Sequence, residues 1–399
     1  MLEQAAADAA SPTDIDPCGQ RAFLRVQHLE RLLPEGGAKL KFVLGAPGAG
    51  KTHFLRQLAG TAGGLGYLVA AIDATRDPLW GFDHLYRAAV GGCDLPALGR
   101  AFAVRMCADL GYEGVVLDEA TDLAAWARAA GHAEAPLRVR VDEALHARLI
   151  ANPDLDRGYA TGLVRWLQRL LWGGGDDLLL MDAWVRGSRV SARECNRLRV
   201  RRPVDRYTGR LWLRSFLQFA RAAGRPGLLV AVDRLETILS PTAPPALEPA
   251  LLLRYTRQRR DDLFECLRAI VDDVAALPGL LLVLAGPPEI LSHGKYGVAS
   301  YPALALRVQN EVATAEINRF ADEIVLERLW TASPSARSEL ATAWLCRVRP
   351  DAPEGLRTMA MAAAEAEWRA ARDASISPVK RSIEAVLEVA ARGQGGGAA

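Results

Sequence analysis

The sequence predicts an α/β fold in which a parallel five-stranded sheet carries a phosphate-binding loop. Two observations predict it. Five short apolar runs, each bounded by loop residues, recur along a chain whose intervening segments carry helical spacing. The first run, Phe42-Val43-Leu44, leads into Gly45-Ala46-Pro47-Gly48-Ala49-Gly50-Lys51-Thr52, and a helical stretch follows from His53 to Leu58. Strand, glycine-rich loop and helix in that order form the context in which this octapeptide binds ATP or GTP. The glycines let backbone N–H groups turn inward around phosphate oxygens, and the helix that starts there adds its positive end. Lys51 is expected to neutralise the β- and γ-phosphates, and Thr52 to place its hydroxyl on Mg²⁺. His53 is a further candidate for the nucleotide, with helix packing as its preferred role.

The remaining elements follow in order. Tyr67 to Asp73 reads as a second strand because it is short, apolar and follows the loop Gly63-Gly64-Leu65-Gly66. From Phe82 to Ala223 apolar residues recur at three- and four-residue spacing, which predicts a long helical insertion; Trp166, Leu167, Leu170, Leu171 and Trp172 read as its core. Strand character returns at Gly227–Asp233, at Gly279–Gly286 and at Glu323–Leu326. Apolar runs separated by helices make a parallel sheet covered on both faces. Beyond Thr331 the chain is Ala-rich and helical to about Arg392, then Gly-rich. The expected division is an N-terminal segment 1–35, a first core part 36–95, an insertion 96–225, a second core part 226–330, a helical lid 331–393 and a tail 394–399.

Composition narrows the partners. A net charge of +2 over 399 residues gives no global nucleic-acid signature, so contact with DNA needs a local patch. The cysteines, at 18, 93, 107, 195, 266 and 346, include no Cys-x-x-Cys pair and read as thiols of a reducing cytoplasm. The N-terminus lacks a basic region followed by an apolar core, and no run approaches the ~18 apolar residues of a membrane span.

A phosphate-binding loop needs a carboxylate on a neighbouring strand to hold Mg²⁺ through water, and usually a second acid to orient the attacking water. Two segments compete: Gly114-Val115-Val116-Leu117-Asp118-Glu119, and Leu228 to Glu236 with Asp233 at the strand end. The second is preferred. The strand ending at Gly286 follows it, supplying the extra strand expected between loop strand and metal strand. Asp118 instead runs into Ala120-Thr121-Asp122-Leu123, which reads as a helix start with acids in its first turn.

With both sites placed, the chain resembles the ATP-binding protein of bacteriophage-exclusion (BREX) systems, a branch of the AAA+ ATPases, over most of residues 36–330. The likeness rests on Gly45 to Leu55, Gly81 to Arg87, Ala220 to Gly224 with Leu228 to Glu236, Leu267 to Asp272, Leu284 to Glu289 and Ser300 to Leu304. It implies an AAA+-type core, ATP binding, a bacterial cytoplasmic setting and work beside other defence proteins. Two positions depart from the family pattern. Arg234 follows Asp233 where the family has glutamate, leaving Glu236 as the next acid, and Gly286-Pro287 stands where a polar sensor residue is common. Proline offers no donor. Loss of a water-orienting group costs a factor of ~100 to 10,000 in rate, so slow hydrolysis, or hydrolysis completed by a neighbouring subunit in a homo-oligomer, is expected. Arg307 and Arg319 are candidate arginine fingers, and Gly355-Leu356-Arg357 resembles the lid motif whose arginine contacts the γ-phosphate.

Nine arginines, at 186, 189, 193, 197, 199, 201, 202, 206 and 210, face only Glu194 and Asp205 in the same stretch. Their forked guanidinium groups suit phosphate, so Arg193, Arg197, Arg199, Arg201 and Arg202 are candidates for double-stranded DNA. A docking surface for acidic proteins is the other reading, because only five of the 49 basic residues are lysine and arginine is the default surface cation here. Arg254, Arg257, Arg259 and Arg260 form a second basic cluster. The expected function is a nucleotide-dependent switch or assembly ATPase in an antiphage complex; the alternative is a hydrolysis-deficient, nucleotide-bound scaffold.

Overall fold

The computed structural model describes residues 15–239, 253–308, 317–370 and 376–392. Five parallel strands form one sheet: β1 (Lys39–Leu44), β2 (Leu68–Asp73), β3 (Leu228–Asp233), β4 (Leu280–Gly286) and β5 (Glu323–Val325), in the spatial order β2-β3-β4-β1-β5. The boundaries of β2 to β5 lie within one residue of the expected runs, whereas β1 starts three residues earlier than expected, at Lys39. The inner strands β3 and β4 are apolar nearly throughout and buried, as two-sided coverage requires, whereas β2 at one edge is only partly covered.

Alternation along the strands sorts their side chains into two cores. Leu280, Leu282 and Leu284 of β4 face one way with Phe42, Val230 and Val232. Leu281, Val283 and Ala285 face the other way with Val43, Leu229 and Ala231. The first face carries the helices between β2 and β3, together with the helix Arg257–Asp272. The second carries the helix Lys51–Gly64 and the helices Leu326–Thr331 and Pro334–Val348, the last of them within the expected lid 331–393. Insertion and lid therefore lie on opposite faces of one sheet.

Lys41 breaks the apolar pattern of β1. It is fully buried, but its ammonium donates to the Phe320 carbonyl at 2.7 Å and to that of Ala321, so its charge is answered by backbone oxygen just before β5. Lys39 adds an ion pair to Asp322 at 2.5 Å, and the short edge strand is fixed from beneath.

The insertion carries helices and no strand, from Phe82–Gly91 to Gly209–Ala222, with loops between them. It has no tail of strand at Gly114–Asp118: Asp118 accepts N–H bonds from Ala120 and Thr121 at 2.9 and 2.7 Å in a turn, and Asp122 caps the helix Leu123–Ala129. Asp118 thus stands ahead of the helix rather than in its first turn, because Asp122 claims the cap. Trp166, Leu167 and Leu171 are core, with Leu170 and Trp172 half-buried against them. Tyr86 ties the insertion helices together, packing edge-on to Tyr159 and Trp212 and donating to the Val185 carbonyl at 2.5 Å.

Two insertion helices, Arg157–Trp172 and Gly175–Val185, meet at Gly162, where an added Cβ would stand 2.1 Å from the Trp184 ring. Trp184 is fully buried and cannot retreat. Gly162→Ala is expected to destabilise the protein by about 1–3 kcal/mol through overpacking despite alanine's better helix propensity. A urea midpoint at or above that of the parent would contradict this.

Candidate nucleotide-binding site

The strands all end at the same edge of the sheet, and the glycine loop and Asp233 meet there because parallel strands bring their C-terminal ends together. β1 gives way to the loop at Gly45, whose N–H donates to the Gly286 carbonyl at the end of β4, 3.1 Å away. Gly48 and Gly50 take left-handed backbone, φ 86° and 94°, which turns the loop over the start of helix Lys51–Gly64. Pro47 and Ala49 lie within this turn, with Ala49 buried. His53 is the third residue of the helix.

Lys51 Nζ donates to the carbonyls of Gly45 and Ala46 at 2.7 and 3.1 Å, folded over the loop that it would serve. Thr52 Oγ1 donates to Asp233 Oδ2 at 2.6 Å. One bond thus joins the first helical turn after β1 to the end of β3, 181 positions away. Of the two competing carboxylates, Asp233 stands at the loop. The pair suits a hydrated magnesium ion, which retains waters and takes one or two carboxylates with substrate phosphates rather than an all-protein cage. Among the described residues no cluster of three or more His, Cys, Asp or Glu could hold a metal alone.

Arg234 adopts a left-handed φ of 59°, which carries its side chain sideways to β2. Its Nη1 lies 3.4 Å from Asp73 Oδ2, and Asp73 is in register with Asp233 on the neighbouring strand. The position after Asp233 is therefore cationic and paired. Glu236 lies exposed on the short 3-10 turn Leu235–Leu239, three residues beyond the metal candidate. Pro287, after β4, supplies no N–H to the site.

Four residues at this edge escaped sequence reasoning as site residues. Glu327, in the first turn of the helix Leu326–Thr331 that follows β5, accepts the Ala46 N–H at 2.7 Å and braces the loop. Ser377 is buried, and its N–H donates to the Pro47 carbonyl at 3.1 Å. Lys380 packs its stem on Gly48, where an added Cβ would meet Lys380 Cβ at 2.7 Å. Asp73 is the fourth. Position offered a signal for two of them: Glu327 follows the last predicted strand, and Asp73 ends the second. Ser377 and Lys380 carry no motif, only a Pro378 that starts the helix Pro378–Arg392.

Arg357 lies elsewhere in the lid. Its Nε donates to the Ala352 carbonyl at 3.0 Å, near where Arg349 reaches Ala390 at the far end of helix Pro378–Arg392. A helix of that length puts about 20 Å between this end and the Ser377 end that touches the loop. Lys380, rather than Arg357, is the lid cation beside the glycines. Arg307 pairs with Asp272, and that contact is the largest cause holding the Asp272 carboxyl below its usual value. Arg319 is exposed before β5, beside Gly19.

The arginine-rich stretch divides as well. Arg186 is tied to Asp182 and to the Gly91 carbonyl, and Arg210 to Asp273. Arg193, Arg197, Arg199, Arg201 and Arg202 are exposed. In the second cluster Arg260 is buried, donating to the Tyr255 carbonyl at 2.7 Å, and Arg259 stacks 4.2 Å over the Trp80 ring. Those two are held within the fold, which leaves Arg254 and Arg257 as the exposed members of that cluster.

Loop, strand order and the Thr52–Asp233 bond define a nucleotide-binding α/β protein. The chain belongs to the family of BREX system ATP-binding proteins BrxC/D, whose model matches residues 25–333. That match spans the loop, all five strands and Glu327. Neither a curated protein nor a solved structure matches the chain. Membership supports ATP binding and a role, beside other defence proteins, in a BREX antiphage system. No described helix is long and apolar enough to cross a membrane.

Removing the Lys51 ammonium should weaken ATP binding about 10- to 100-fold, the worth of a charge-assisted hydrogen bond. Lys380→Ala should weaken it severalfold, and Arg357→Ala should leave it unchanged. Titration with a fluorescent ATP analogue checks all three, and a larger loss in Arg357→Ala than in Lys380→Ala would reverse the assignment.

Proposed function

We propose that this protein is an AAA+-type ATP-dependent switch in a cytoplasmic BREX complex, in which bound nucleotide fixes the lid against the sheet edge. The observation that carries this reading is the convergence of three chain regions on one loop. Thr52 meets Asp233, Ala46 meets Glu327 in the helix after β5, and Pro47 and Gly48 meet Ser377 and Lys380 of the last helix. ATP phosphates at the loop would draw Lys51 Nζ away from the Gly45 and Ala46 carbonyls, changing the surface on which the lid rests. Magnesium, when bound, would neutralise phosphate charge. Thr52 and Asp233 would hold it, while backbone N–H groups at Gly48 and at Gly50 to Thr52 would face the phosphates and Lys380 would add a second cation. Conformation passed to partner proteins is then the output.

Hydrolysis is slow on this account. Arg234 occupies the place of the water-orienting acid and is held by Asp73, so Glu236 is the proposed general base, acting only when its turn is rearranged by a partner or a second copy. Arg307 and Arg319 remain the proposed fingers for such a copy. The Arg234–Asp73 pair also supports the second reading, a nucleotide-bound scaffold that does not turn over.

Phosphate release separates the two. The switch reading expects slow turnover that Lys51→Ala abolishes, that Glu236→Gln lowers about 100-fold, and that Arg234→Glu raises. Tight ATP binding with no turnover in the parent or in Arg234→Glu would establish the scaffold instead.

A further inference from the structure

We propose that the helical insertion carries a second anion site, remote in sequence from the nucleotide loop, which takes the phosphodiester backbone of a nucleic acid between helix Arg157–Trp172 and the segment Arg199–Arg201. Positions 157, 165 and 169 recur at four- and eight-residue intervals and so share one side of the helix. Opposite them the helix Ala192–Leu198 ends at Arg199, whose left-handed φ of 54° reverses the chain and sets Arg199 and Arg201 along the same pocket. Arg157, Arg199 and Arg201 line this half-open cavity of about 370 Å³, and Gly158 keeps its floor low.

The charges in the pocket are unanswered. Among the described residues, no carboxylate oxygen lies within 4.0 Å of a guanidinium nitrogen of Arg157, Arg165, Arg199 or Arg201. Asp177 is shared by Arg169 and Arg197 at 3.5 and 3.1 Å, and Asp156 Oδ1 is spent on capping the Tyr159 N–H at 2.8 Å. Arg165 Nε is buried with no partner. Burial above all, then the nearby Arg169 and Arg199, lowers the Arg165 pKa. Guanidinium groups placed this close repel one another, and an anion with several oxygens relieves that repulsion while accepting forked hydrogen bonds.

The extent of the row favours a polymer over a single phosphate. Each step of four residues advances about 6 Å along the helix, so Arg157 and Arg169 span three such steps. Beyond the pocket the exposed Arg193 and Arg202 continue the charge. One small anion touches a fraction of this surface, whereas a chain of phosphates follows it.

The test is fluorescence anisotropy of a short fluorescein-labelled DNA duplex of mixed sequence, titrated with the full chain at several salt concentrations. Arg157→Gln combined with Arg201→Gln, both exposed, should weaken binding at least tenfold near physiological salt and make the log K against log salt slope shallower by about 2, since each phosphate contact contributes about 0.9. Arg25→Gln, an exposed arginine near the N-terminus, and Lys51→Ala in the nucleotide loop should both leave DNA affinity unchanged. Failure of the nucleotide reading is thereby separated from failure of this one. Absence of DNA binding at low salt, or equal affinity in parent and double variant, overturns the proposal. So does complete displacement of DNA by millimolar inorganic phosphate, which would make the pocket a small-anion site.

Discussion

The hydrogen bond from Thr52 to Asp233 is the constraint on which the architecture turns. For a hydroxyl on the first turn of helix Lys51–Gly64 to reach a carboxylate on β3, the strands must run parallel, end level and keep β4 between β1 and β3. The register satisfies this: Leu44 pairs with Gly286 at the end of β4, and Val232 with Leu284 one step before the end of β3. A one-residue slip would turn the Asp233 side chain to the other face of the sheet and exchange the two cores.

The same alternation explains how one edge serves two bodies of helix. Even-numbered residues of β4 bury against the insertion and odd-numbered ones against the loop helix and the lid. The lid reaches the loop from its own face, through Ser377 with Lys380 at the last helix, and Glu327 reaches it from the helix after β5. The insertion reaches the sheet edge through β3 and Arg234, whose pairing with Asp73 joins the two strands that flank it. Nucleotide at the loop would touch the first set directly and the second through Asp233.

Strands and loop were legible in the sequence because each rests on a local signal: short apolar runs bounded by glycine, and a glycine pattern with lysine and threonine at its end. Asp233 was legible from order along the chain. Lid contacts were not. Which residue of an Ala-rich helical hairpin reaches Gly48 depends on how three helices pack, and Gly355-Leu356-Arg357 drew attention by spelling alone, while Lys380 sits at a helix start without a motif. Basic runs were equally opaque, since a string of arginines does not reveal that Arg260 is buried against Tyr255 and Arg186 bonded to carbonyls, while Arg199 and Arg201 are left without acids. Arg157 and Arg165 lie outside the run and join it only in three dimensions.

Asp233, positioned by Thr52, is proposed to carry the magnesium dependence of the site. Titration of ATP into the parent and Asp233→Asn, each with magnesium and with a chelator, tests it most directly. Magnesium should tighten ATP binding by the parent, and Asp233→Asn should remove most of that gain while keeping magnesium-free affinity. An equal magnesium effect in both proteins would contradict the account and separate Asp233 from the nucleotide.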